Sequence, residues 1–199
     1  MIDIYDEQLI KLSKPIYDVR KLFIEEFDPY FLDKYNRIWY GIESVSLTYK
    51  SDLSEKKMSI LLKESLKKDF ILQYTSSGIH KDDLVLNIDK YSIKKFGSQG
   101  QQKSFIIALK LAQFEYLKEK TGSSPILLMD DIFDKLDFDR VKNIVEIVNL
   151  TSFGQLFISD TDEDRINKVL KSLNLSSKIF NLWKEHIKQI KWKVWLIIF

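Results

Sequence analysis

The chain contains no cysteine, which excludes a disulfide framework, a thiolate nucleophile and a cysteine-bound metal. Histidine is nearly as scarce. His80 and His186 stand in no HExxH or similar spacing, so zinc chemistry and a Ser-His-Asp triad have no support. Long hydrophobic runs are missing too: the apolar end Val194 to Phe199 falls far short of the roughly 20 residues that cross a bilayer. The segment from Met1 to Tyr17 carries Asp3, Asp6 and Glu7 and has neither a basic start nor a continuous apolar stretch, so no signal peptide is expected. Neither sign of charge prevails. Lys and Arg total 31 against 29 Asp and Glu, and the net charge of +2 gives no global case for nucleic acid, membrane or acidic partners. A cytoplasmic location is the default expectation, with no membrane association.

What the chain does have is 199 residues and 45% hydrophobic content, enough for one or two modest domains. From Asp6 to about Tyr35, Leu9, Leu12, Ile16, Val19, Phe23 and Phe27 recur at helical spacing, with Pro15 a candidate kink. Ile42, Val45, Leu47 and Tyr49 then alternate as a strand, and Ser54 reads as the N-cap of a second helix carrying Met58, Leu61, Leu62, Leu66 and Phe70. This section, to about residue 74, is helix-dominated.

Beyond Gly78 the rhythm changes. Leu84, Leu86 and Ile88 alternate as a strand, a second short strand is expected at Tyr91 to Lys95, and a turn follows at Gly97 to Gly100. Gln101 to Lys120 predicts a long helix buried against a sheet, ended by Gly122 and Pro125. Ile126-Leu127-Leu128-Met129 suits a strand covered on both faces. A helix capped by Asp137 and running from Phe138 to about Asn149, a strand at Gln155 to Ser159 and a helix after Asp162 complete the pattern. Alternation of this kind predicts an α/β fold around a largely parallel sheet over residues 75–180.

The strongest local signal is the apolar strand that ends abruptly in Asp130 and Asp131. Adjacent carboxylates are too costly to bury unpaired, so the pair must emerge at a polar place, and ends of parallel strands are where ligands sit. In nucleotide hydrolases the first acid holds Mg²⁺ and the second polarises the attacking water. A turn or cap role for the same two acids has comparable standing on this motif alone. Two neighbours add weight to the functional reading. Asp134-Lys135-Leu136-Asp137 follows at once, and Gly97-Ser98-Gln99-Gly100-Gln101-Gln102 opens the long helix, where backbone N–H groups and the positive dipole end favour a phosphate.

In this order and spacing the residues resemble the ABC-type ATPase heads of chromosome and DNA-repair proteins, most closely the RecF family. Ser98-Gln99-Gly100-Gln101-Gln102-Lys103 is similar to that family's ABC signature, and Gly78-Ile79-His80-Lys81-Asp82-Asp83 to a second element, read there with Pro and Arg at the places of Ile79 and Lys81. The likeness covers roughly residues 1–180. It implies the C-terminal half of an ABC-type head: a partial helical arm lobe over 1–74, the second half of the ATPase lobe over 75–180, and a basic Trp-rich tail over 181–199.

The resemblance further implies ATP and Mg²⁺ as cofactors. Ser98, Gln99, Gly100 and Gln101 would contact nucleotide held by the opposite protomer of an ATP-dependent homodimer, and Asp130 and Asp131 would serve the chain's own nucleotide as metal and water-activating acids. Asp137 would lie on the dimer seam, and Thr161 or Asp160 would stand where such heads place a switch residue. DNA at single-stranded gaps and junctions, RecO and RecR would be the partners, with recombinase loading and the SOS response as the setting.

One departure bears on all of this. None of the glycines at 41, 78, 97, 100, 122 and 154 is followed by Lys, so no Gly-Lys-Ser/Thr phosphate loop exists and autonomous ATP hydrolysis is expected to be very weak or nil. A truncated gene, a split gene or a fragment would account for that. The rival reading is a non-catalytic interaction module that docks on a complete ATPase or repair partner.

The tail carries Trp183, Trp192 and Trp195 with Lys184, Lys188, Lys191 and Lys193. Single-stranded nucleic acid or a membrane surface would suit it, but an add-on helix or a shifted reading frame is favoured. His80 is read as structural. Lys pairs such as Lys56-Lys57, Lys67-Lys68 and Lys94-Lys95 are read as solvated faces.

Overall fold

The computed structural model describes residues 2–40, 43–130, 135–150, 155–160, 163–173, 178–182 and 194–198. Two compact units emerge, one formed by Met1–Pro29 with Val45–Ser92 and the other by Tyr30–Ser44 with Ile93–Phe199. The sequence-based boundary near residue 74 cuts through the first of them, because a boundary read from composition cannot register the pairing of two strands distant in sequence.

In the first unit β1 (Val45–Lys50) runs antiparallel to β2 (Asp83–Ile88), and β2 to β3 (Tyr91–Ser92). Helix α2 (Met58–Leu72) buries Met58, Leu61 and Leu62, against which Leu9 and Leu53 pack. The first unit also holds the early turns of α1 (Ile2–Trp39), a helix that continues past both Pro15 and Pro29. A polar knot ties the unit together. Arg20 donates to the Ile79 carbonyl at 2.7 Å and to Asp82 at 3.2 Å, and the Tyr49 hydroxyl donates to the same carboxylate. His80 Nε2 donates to the Thr75 carbonyl at 2.8 Å, a structural duty.

The second unit packs the last turns of α1 against α4 (Gln99–Thr121). Phe31 and Tyr35 meet Phe105 at ring separations of 4.6 and 5.4 Å, and all three are at most 1% exposed. Lys34 is equally buried and pairs with Asp33 and Glu115, so its charge is compensated. Strand β4 (Ile126–Asp130) runs parallel to β5 (Gln155–Asp160). Helix α5 (Phe138–Leu150) buries Val141, Ile144, Val145 and Val148, while α6 (Glu163–Leu173) buries Val169 and Leu170. Strand β7 (Val194–Ile198) runs antiparallel to both β5 and β6 (Lys178–Leu182), giving the order β4-β5-β7-β6. This is the mixed α/β architecture, with a parallel pair at β4 and β5.

Several expectations need correction. Residues 93–96 form the short helix α3 rather than the end of a strand. Ser54 caps nothing: Ser51 caps a 3-10 turn over Asp52–Ser54, and α2 starts later, from Lys57. The stripe read on α1 is largely uncovered at Leu12 and Val19, while the buried ladder runs through Ile24, Phe27, Phe31, Tyr35 and Ile38. The spacing fixed the helix, and tertiary partners chose which turns to bury. Strand β4 is not covered on both faces, since Ile126 is 61% and Leu128 72% exposed. The tail contributes a strand at 194–198 where a helix or foreign tail was expected, in keeping with its β-branched and aromatic run; residues 183–193 lie outside the described set.

Asp69 near the end of α2 supplies an acid-sensitive element. Burial works to raise its carboxyl, but hydrogen bonds from Ser76 N–H at 3.0 Å and Ser65 Oγ at 2.8 Å outweigh it and hold the pKa below the ordinary value. A folded pKa depressed in this way adds stability above the unfolded value of about 3.9, lost as pH falls through the lower folded value. Thermal unfolding from pH 6 to pH 3 is therefore expected to show a steeper acid loss for the unaltered chain than for Asp69→Asn. Parallel acid limbs would refute the assignment.

Candidate functional site

The site lies wholly in the second unit and is built outward from the start of α4. Gly97 N–H donates to the Ile93 carbonyl at 2.9 Å, and a Cβ on Gly97 would sit 2.7 Å from that oxygen, so only glycine passes there. Ser98 then caps the helix reciprocally. Its hydroxyl accepts from Gln101 N–H at 3.2 Å, and Gln101 Oε1 accepts from Ser98 N–H at 2.8 Å. This is a capping box, and the Ser98 hydroxyl keeps its own proton for an external acceptor. The first turn contains no acidic residue, so the positive end of a 23-residue dipole is uncompensated by its own side chains.

Gln101 has both ends of its amide engaged, because its Nε2 donates to Glu43 at 2.8 Å. Glu43 also accepts from the Tyr35 hydroxyl; burial first, and this carboxylate second, push the Tyr35 phenol well above its ordinary value. Gln101 thus braces the turn against the residues that follow α1.

The second wall comes from α5. Asp137 caps it, accepting from Arg140 N–H at 2.8 Å, and its other oxygen lies 3.3 Å from Arg140 Nε. The Arg140 guanidinium carbon stands 3.6 Å from the centre of the Trp39 ring, and the residue is 8% exposed. Its Nη1 lies 2.6 Å from where a Cβ on Gly100 would be, and the Lys135 carbonyl 3.1 Å from it. Glycine at 100 is what lets the guanidinium and the Lys135 backbone crowd the first turn of α4. Asn143, one turn further along α5, donates to the Ile38 carbonyl at 3.0 Å and accepts from Tyr40.

The third wall is the carboxyl end of the parallel pair. Asp130 at the end of β4 stands opposite Ser159 of β5, whose hydroxyl donates to it, and Asp160 is buried beside them at 3% exposure. A groove of about 620 Å³ joins this end to the helix start, lined among others by Gln99, Gln102, Lys103, Asp130 and Lys135. The structure thus brings Gln99 and Asp130 to one cleft, and Gly100 and Asp137 to one guanidinium. Asp131 and Thr161, with Asp134, lie outside the described residues. Mg²⁺ is usually held through one or two carboxylates plus phosphates and water. Asp130 is one such carboxylate with a fitting place; among the described residues no group of three acidic or histidine side chains gathers to make a complete cage.

Sequence reasoning missed Glu43, Trp39, Arg140 and Ser159. A Ser-x-x-Gln box at 98–101 and an Asp-x-x-Arg spacing at 137–140 were visible signals for the cap and the ion pair. Nothing local pointed to Trp39 or Glu43, which reach the site only through the tertiary fold.

No family profile matches the chain. It is 58% identical over 181 residues, 91% of its length, to the DNA replication and repair protein RecF of Flavobacterium johnsoniae, of which it covers 50%. It is 40% identical over 191 residues to the protein of that name from Parabacteroides distasonis, covering 96% of this chain and 52% of the relative. A solved structure described as the recombination mediator protein RecF-ATPrS in the RecFOR pathway superposes with a TM-score of 0.65 at 27% identity, over 82% of this chain and 46% of that one. The chain spans about half the length of the relatives it matches.

Ser98→Ala removes the side-chain half of the cap, and the expected cost is about 1 kcal/mol. Urea denaturation of the chain checks it, and an unmoved midpoint would mean that the capping box carries no weight.

Proposed function

Because the chain is a homologue of the C-terminal portion of RecF, we propose that it supplies the signature turn and strand-end acids of a RecF-like DNA replication, recombination and repair ATPase. It does so in an assembly whose phosphate loop comes from elsewhere. The single observation that carries this reading is the groove in which the start of α4 and Asp130 share one wall-to-wall space. Ser98, Gln99, Gly100 and Gln101 face the phosphates of nucleotide held by the opposite protomer, with Ser98 offering its hydroxyl proton and the helix start its dipole, while the strand-end acids serve the chain's own nucleotide. Asp130 takes Mg²⁺, Asp131 polarises the attacking water, Asp137 stands at the seam between protomers and Thr161 senses the γ-phosphate. Each role is carried over from the resemblance, and the groove shared by Gln99 and Asp130 supports it.

In such an assembly ATP closes a homodimer that binds DNA at gaps and junctions, and RecO and RecR join it in recombinase loading and the SOS response within the cytoplasm. Among the described residues no helix is long and apolar enough to cross a membrane. A second reading, a non-catalytic module docking on a complete ATPase or repair partner, draws on the uncovered apolar side chains of β4, Ile126 and Leu128.

Titration with a fluorescent ATP analogue separates the two. Binding is expected with an added phosphate-loop portion and not with the chain alone, and Asp131→Asn is expected to lower hydrolysis by the mixture about 100-fold or more. A mixture that forms but takes no nucleotide would favour the docking module; full hydrolysis by the Asn variant would remove Asp131 from the chemistry.

A further inference from the structure

We propose that Arg140 is a positioning residue of this site, a latch that sets the start of α4, the Asp137 turn and the end of α1 in one register. The inference rests on the reading of that site as a nucleotide site and names the group that holds it in shape. Four observations meet on one guanidinium. Its carbon lies over the Trp39 ring at 3.6 Å from the centre, its Nε 3.3 Å from Asp137, its Nη1 at the place a Cβ on Gly100 would need in the first turn of α4, and the residue is nearly withdrawn from water.

A cation beside the positive end of a helix dipole is an unfavourable neighbour. Its position is held by the Asp137 carboxylate and by the aromatic face beneath it. The carboxylate is half-exposed, so the ion pair reaches the surface at the seam where the signature turn opens. A phosphate arriving at the α4 start meets the dipole and the guanidinium together. Movement of Trp39 therefore reaches the signature turn through Arg140 and Gly100, without any contact between Trp39 and nucleotide.

Lysine at 140 keeps the charge but loses the planar group, and alanine at 100 displaces the guanidinium while being the better helix former. The two variants separate a latch from plain helix stability. Amide exchange on the chain is expected to quicken about tenfold at Gln101 and Gln102 in both Arg140→Lys and Gly100→Ala, with the amides of β1 and β2 unchanged. Slower exchange in Gly100→Ala, as helix propensity alone demands, or unchanged exchange in Arg140→Lys, overturns the proposal.

With the phosphate-loop portion added, Arg140→Lys is expected to raise half-saturating ATP about tenfold while turnover at saturation stays within about twofold. An Arg140→Lys variant that matches the unaltered chain in half-saturating ATP overturns the role at the site. Should the unaltered mixture itself take no ATP, the nucleotide reading falls, and the exchange measurement still decides whether the latch exists.

Discussion

The Arg140 guanidinium occupies the space that a side chain at position 100 would fill, and the organisation of the second unit around α4 follows from that crowding. Glycine there leaves room for the Arg140 guanidinium and the Lys135 carbonyl against the first turn of α4, while Asp137 caps α5 and lies beside the same guanidinium. The Trp39 ring stands 3.6 Å from the same guanidinium carbon. Asn143 repeats the junction one turn along α5 by holding the Ile38 carbonyl, so two successive turns of α5 grip the last turn of α1. Helix packing normally settles by side-chain volume; here a missing side chain sets the distance.

Reciprocal hydrogen bonds tie the start of α4 to the residues that follow α1. The first four N–H groups of a helix lack internal partners, and α4 answers one through Ser98 while Gln101 returns the favour to the cap. The far end of Gln101 is then tied to Glu43, and Glu43 to the buried Tyr35. The Gln101 amide and the Glu43 carboxylate are each engaged at both ends. The Ser98 hydroxyl stands apart because it accepts within the turn and still has a proton to give, which is what an incoming anion requires.

Sequence reading located the parts whose physics is local. The strand running into Asp130, the Asp137 cap and the end of α4 at Gly122 each follow from residue type and spacing, and the structure places each in its expected element; the turn expected over Gly97 to Gly100 ends sooner, since Ser98 caps α4 and Gln99 and Gly100 already lie in it. Readings that depended on a partner failed. Leu12 and Val19 have the right helical spacing and no cover, whereas Phe31 and Tyr35 are buried because Phe105 meets them from another helix. Ser54 and Ser51 offer the same hydroxyl, and only the local path of the chain selects Ser51. The strand at 194–198 was illegible for a different reason: its pairing with β5 joins residues some forty positions apart, and no local pattern announces it.

Strand β4 shows where the described fold stops short of what its sequence prepares. Ile126 and Leu128 alternate with Leu127 and Met129, and an all-apolar strand is the pattern of a sheet buried on both faces. Yet Ile126 and Leu128 are mostly open, as is Ile106 of α4 at 59%. Single exposed apolar residues are ordinary on protein surfaces, but Ile106 and Leu128 line the same groove as Asp130. Fully burying one such side chain contributes about 1.5–3 kcal/mol, so this wall of the groove holds a sizeable driving force for association that the described residues leave unused. The relatives are about twice as long as this chain, and a phosphate loop is the element its sequence does not contain. An exposed apolar wall beside a strand-end carboxylate is the kind of surface on which a further hydrophobic face gains affinity by burial, with the carboxylate at its edge adding a polar constraint on how that face can settle.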